Sequence, residues 1–201
     1  MVQGPERPHW RVFGLEPART AAPDPGSPAV RDGRPVALVA MPESGAGYAT
    51  RRIAYSRGAG ELEYFAEHRW VDPPARMLVP LLQQALTATG AFSSVAALPT
   101  RVRGDFVVES EILAFRQELQ EEGSRFRATL RITSIRAGTP GAVDSRIVEV
   151  LEPMERNGPT EVVAAANRAT SRLLSEVASF CAEMAAREAL PTSLPRSDDG
   201  P

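Results

Sequence analysis

The sequence contains no lysine: all 23 of the side chains that are Lys or Arg are arginine. Arginine stays protonated at any relevant pH, so no amine is available for Schiff-base or lysine general-base chemistry. A single cysteine, Cys181, in 201 residues excludes an internal disulfide and a multi-cysteine zinc site. The two histidines, His9 and His68, lie far apart, and neither has a second ligand at helical or turn spacing. No metal centre and no cofactor is expected. No stretch approaches the roughly 18 uninterrupted apolar residues of a membrane-spanning helix. A formal net charge of −2 offers nothing to hold a phosphate backbone, so nucleic acid is not an expected partner.

What remains is an ordinary folding composition, 43% hydrophobic and 24% charged. A chain of this size buries roughly 70% of its unfolded surface, enough for a core without staples. Proline divides it unevenly, with eight of 18 inside residues 1–42. Residues 1–8 read as a tether, 17–34 as a Pro/Gly-rich exposed loop and 189–201 as a disordered tail, leaving one domain over 9–188.

Within that domain His9–Leu15 reads as a short strand, and Pro35–Met41 as a strand covered on both faces. One or two short strands are expected between about 51 and 70. Asp72-Pro73-Pro74 signals a helix start, with Asp72 as the cap. Leu78, Leu81, Leu82, Ala85 and Leu86 then share one face, Pro80 is expected to kink the helix, and Gly90 stops it. A second helix follows Asn157-Gly158-Pro159. Its stripe of Val162, Ala166, Ala169, Leu173, Val177, Phe180 and Met184 runs for about seven turns, with Cys181 as a small hydrophobe beside it.

Between the helices the period falls to two. Phe126, Ala128, Leu130 and Ile132 alternate with Arg125, Arg127, Thr129 and Arg131. Phe106, Val108, Ser110 and Ile112 alternate likewise, but Leu113 and Phe115 are apolar on the other parity, which predicts a phase break, a β-bulge or a sharp twist, near Ile112–Leu113. Glu121-Glu122-Gly123 and Gly138-Thr139-Pro140-Gly141 read as turns, and Val143–Leu151 as a third strand. The fold class is therefore α+β: a largely antiparallel, mixed sheet with two main helices packed on it.

No catalytic residue is assigned. Gly45-Ala46-Gly47 lacks the rest of a phosphate-binding loop, and no GxSxG elbow exists. Glu109 and Glu111 resemble an acid/base pair, yet Arg125, Arg127 and Arg131 on the neighbouring strand make cross-strand ion pairs the simpler reading. The informative cluster is aromatic: Tyr48, Tyr55, Tyr64, Phe65 and Trp70 fall within 23 residues of a chain with 12 aromatics. Tyr, Trp and Arg are enriched at protein interfaces because they join large apolar area to directional polar tips. Arg52, Tyr55, Tyr64, Arg69 and Trp70 are accordingly the candidate partner-contact residues, with core filling the competing role for Tyr55 and Trp70.

The same stretch carries a family resemblance. Arg51-Arg52-Ile53-Ala54-Tyr55-Ser56, Glu61-Leu62-Glu63-Tyr64-Phe65 and Arg69-Trp70-Val71-Asp72-Pro73-Pro74 lead into the helix bearing Leu78 and Leu82. Gly90-Ala91-Phe92-Ser93-Ser94-Val95 and the strand from Asp105-Phe106-Val107-Val108 to Phe115 follow. This ordered set resembles the ABC-type transport auxiliary lipoprotein family, the group of paraquat-inducible protein C, over roughly residues 35–118. Val12-Phe13-Gly14-Leu15 stands more loosely for the family's Tyr-Tyr-x-Leu. The resemblance implies a non-enzymatic periplasmic lipoprotein at the outer membrane, serving a mammalian-cell-entry-type transport protein and its permease in moving lipids or other hydrophobic molecules. It leaves room for a homo-oligomer and for direct lipid contact. The family's anchor cysteine has no match here and is expected upstream of Met1. The alternative is a soluble envelope binding module similar to the amino-terminal domain of the Tol translocation protein.

Overall fold

The structure, a computed structural model, describes residues 10–16, 33–58, 60–121, 123–138 and 143–189. The expected tether, the C-terminal tail from residue 190 and all but residues 33 and 34 of the Pro/Gly-rich loop lie outside these, as do Glu122 and residues 139–142 of the two turns. In chain order the elements are β1 (Arg11–Phe13), β2 (Val36–Val39), β3 (Glu43–Ser44), β4 (Arg52–Ser56), β5 (Glu63–Trp70), α1 (Pro74–Ala88), β6 (Ser94–Ala97), β7 (Phe106–Gln120), β8 (Gly123–Arg136), β9 (Val143–Met154) and α2 (Pro159–Ala189).

All the strands join one mixed sheet, and the 15-residue β7 organises it. One edge of β7 takes β8 antiparallel along its whole length, and β9 continues the meander outward. The other edge is shared end to end by β2, β3 and β4, all parallel to it. The sheet therefore forks beyond β7. One branch continues from β2 to β6, and the other from β4 through β5 to β1. Helix α2 packs along β9 and β8, α1 packs against β6, β2 and α2, and a single apolar cluster joins them to the sheet.

Local chemistry accounts for most of these boundaries. The run at β2 is buried at all four positions, as a central strand covered on both faces must be. Every residue of the expected α2 stripe is buried, from Val162 at 0% to Met184 at 5% exposure. The β7 bulge falls where the parity change placed it. Ile112 pairs with Leu130 and Ala114 with Thr129, so Leu113 is the extra residue. It lets Ile112 and Phe115 both face the core, which strict alternation forbids.

Two details differ from expectation. Asp72 does not cap α1: Pro73 occupies the N-cap in an extended conformation with no side-chain hydrogen bond, and Asp72 instead lies 3.9 Å from Arg76. Pro80 lies inside α1, at an exposed position of the Pro74–Ala88 helix. The amino-terminal strand is shorter than His9–Leu15 and forms a parallel edge to β5. Gly90 ends α1 as expected, at φ +66°.

Candidate functional site

β4 and β5 carry all five candidate contact residues, and their pairing is irregular. Arg52 pairs with Arg69, yet two residues later Ala54 pairs with Tyr64, five residues away on β5. The excess bulges out of β5 between Tyr64 and Arg69. It carries Phe65 and His68 into a line of rings: Tyr55 to Phe65 at 5.1 Å, Phe65 to His68 at 6.2 Å, and His68 stacked on Phe13 of β1 at 6.0 Å. These separations are those of ordinary aromatic packing.

Of the five residues, Arg52 and Tyr64 form one surface pair, Arg69 pairs with Trp10, Tyr55 ends the ring line and Trp70 is a core anchor. Exposed Arg52 lays its guanidinium 4.2 Å from the centroid of the half-buried Tyr64 ring. Tyr64 is itself fixed, its hydroxyl donating to the Gly47 carbonyl at 3.1 Å. A side chain at Gly47 would meet the Leu62 side chain, whose Cδ2 stands 2.5 Å from the position of a Cβ and would have to turn aside. The Gly-rich loop is thus a packing device for this surface. Arg69 covers Trp10 at 3.3 Å, and Trp10 remains 39% exposed. Both contacts are cation–π pairs, which hold an arginine in place. Tyr55 donates its hydroxyl to Glu63 at 2.6 Å. Trp70 points the other way: it is 1% exposed and packs on Phe115 at 5.7 Å. The core role weighed for it in the sequence describes its position.

The structure also shows residues that the sequence reading passed over. Trp10 is the ring under Arg69, and it lay beyond any periodic pattern. Glu118 is the larger omission. It accepts from Arg116 at 2.9 Å, Arg125 at 2.9 Å and Arg127 at 2.7 Å, and Arg127 also reaches Glu149 on β9. Burial pushes the Glu118 carboxyl up, but the hydrogen bonds from Arg127 and Arg125 and the charges of Arg127 and Arg116 outweigh it and hold it below the usual carboxylate range. Arg116 extends the network by donating to the Tyr48 hydroxyl at 2.8 Å. The expected cross-strand ion pairing is present, but with Glu118 as its centre. Of the two glutamates first considered, Glu111 pairs with Arg131, whereas Glu109 lies opposite Thr133.

Cys181 is buried on α2, and burial alone pushes its thiol up to about 12. Among the described residues no group of three or more His, Cys, Asp or Glu side chains is placed to hold a metal ion, and no helix is long and apolar enough to cross a membrane.

The profile of one protein family, described as the ABC-type transport auxiliary lipoprotein component, matches residues 13–178. The chain belongs to this family. The match extends well beyond the resemblance at residues 35–118, taking in Phe13 of β1, the whole meander and most of α2. Protein XCC0632 from Xanthomonas campestris has a similar crystal structure, at 20% identity and TM-score 0.75, covering 89% of this chain and 98% of that one. An uncharacterized protein is similar at 12% identity and TM-score 0.65, covering 85% and 97%. The hypothetical protein CT253 from Chlamydia trachomatis is similar at 10% identity and TM-score 0.51, covering 74% and 96%. At these identities the likeness is one of fold. No curated protein matches the chain in sequence. The auxiliary-lipoprotein fold is thus the forked sheet and helix pair described above, with the Arg52–Tyr64 surface on its β4–β5 branch.

Proposed function

We propose that this auxiliary lipoprotein is a non-enzymatic adaptor, anchored to the outer membrane from the periplasmic side. It docks an ABC transport assembly that contains a mammalian-cell-entry-type protein and its permease and that moves lipids or other hydrophobic molecules. The single observation that carries this reading is the family match over residues 13–178, which ties the folded domain to ABC transport. An adaptor without chemistry must grip its partner through buried contacts, and these draw disproportionately on Tyr and Arg. The contact surface in this proposal is formed by Arg52, Tyr55, Tyr64 and Arg69. Two of them are pre-set by cation–π contacts, which lowers the ordering cost of binding. Trp70, locked in the core, supports the strand that carries them.

Affinity purification tests the assignment. The full-length protein, tagged at its carboxyl end and drawn from detergent-solubilised envelopes, should retain the permease and the mammalian-cell-entry-type protein in fixed ratio. Recovery of neither, from membranes in which both are present, would refute it.

A further inference from the structure

β9 is the longest strand at an outer edge of the sheet. The other outer strands, β1 and β6, have three and four residues, and shortness alone protects them. β9 has 12 residues, and among the described residues β8 is its only strand partner. Its register against β8 is regular from Val143 to Met154, with no bulge to twist it away. Three of its four charged side chains are already engaged inside the chain, and the fourth, Asp144, is exposed. Arg146 lies over Phe180 at 4.6 Å and pairs with Glu183, Glu149 takes Arg127, and Glu152 takes Arg168 and Arg172. Val143 and Ile147 meanwhile stand 53% and 57% exposed.

The polarity of the edge follows from Pro153. It has no N–H, so its position in the ladder is one that donates nothing to β8. Residues 151, 149, 147, 145 and 143 share its parity, and their backbone groups face outward.

We propose that β9 pairs antiparallel with β9 of a second copy of this chain, about a two-fold axis at Ile147, to make one continuous sheet. Charge selects that register. Centring on Arg146 opposes that residue to itself, centring on Val148 opposes Asp144 to Glu152, and centring on Glu149 opposes that glutamate to its copy. Centring on Val150 brings in Pro153, which has no hydrogen to give, and centring on Ser145 pairs residues 143–147 only. The axis at Ile147 avoids all of these and pairs residues 143–151. It sets Val143 against Leu151, Ser145 against Glu149 and Arg146 against Val148, and joins the exposed apolar side chains of both copies into one stripe. A groove of about 410 Å³ between β9 and α2 flanks the edge at this point, with Arg146 and Glu176 in its walls. The pairing is independent of the transport reading and stands or falls on a different measurement.

Sedimentation velocity on the 201-residue chain, over the micromolar range, tests the pairing. The unmodified chain should show a concentration-dependent dimer. Ile147→Arg and Ile147→Glu, at an exposed position that leaves the monomer's thermal stability intact, should each raise the dimer dissociation constant at least about tenfold by opposing like charges. An equimolar mixture of the two variants should restore association, because only a two-fold at residue 147 sets the new charges against each other. A monomeric unmodified chain, single variants that dimerise normally, or a mixture that stays monomeric would each overturn the proposal.

Discussion

Trp70 of β5 packs on Phe115 of β7 at 5.7 Å between ring centroids, although β4 lies between the two strands in the sheet. Phe115 in turn meets Phe126 of β8 edge-on at 4.9 Å. This row of rings ties the branch that bears the proposed contact surface to the meander that bears α2. Trp70→Ala should therefore cost about 3–5 kcal/mol of stability, the range for deleting a large buried aromatic, with Trp70→Phe costing markedly less. Equilibrium urea unfolding of the two variants checks this. A cost for Trp70→Ala below about 1 kcal/mol would mean that the ring is not a core anchor.

Glu118 gives the chain an acid-sensitive element. Its folded-state pKa is depressed, so its stabilising contribution is fully present above the unfolded-state value, near 4.3, and is lost as pH falls through the lower folded value. Glu118→Gln should be less stable than the unmodified chain at pH 7, and the gap should close as pH falls below about 4. Thermal unfolding at stepped pH measures it. A gap that widens on acidification would reverse the sign and contradict the arginine network as its cause.

Cys181 should behave as a buried hydrophobe. At 2% exposure and with a thiol pushed up to about 12, it should react with a thiol reagent at pH 8 only as fast as the protein opens, and at full rate in denaturant. Rapid labelling of the folded protein would place the thiol at the surface.

Wherever a face is buried on a strict period, the fold could be read in the sequence. The α2 stripe and the β2 run follow from such periods. So does the bulge at Leu113, because a parity change between Ile112 and Phe115 has few other physical causes. The charge pairing was less legible for the same reason. Residue numbers paired across β7 and β8 sum to 243 on the turn side of the bulge and 242 beyond it, as in Glu118 with Arg125 and Glu111 with Arg131. Assigning partners thus needs both the turn and the bulge fixed to a single residue. The bulge in β5 was illegible, since Phe65 to His68 alternate no more irregularly than many plain strands. The Trp10–Arg69 contact joins positions 59 residues apart with no pattern around Trp10. Trp70 shows the ambiguity of aromatic clusters: composition marks it for an interface, and only packing sends it inward.

Site-specific photo-crosslinking in envelope membranes tests the central claim, that the Arg52–Tyr64 surface grips the transport assembly. Full-length protein carrying a photoreactive residue in place of Arg52 or of Tyr64 should capture a subunit of the transport assembly, and a probe at Gln84, on the exposed side of α1, should not. Capture from Gln84 with none from either Arg52 or Tyr64, or no capture from any of the three, would contradict it.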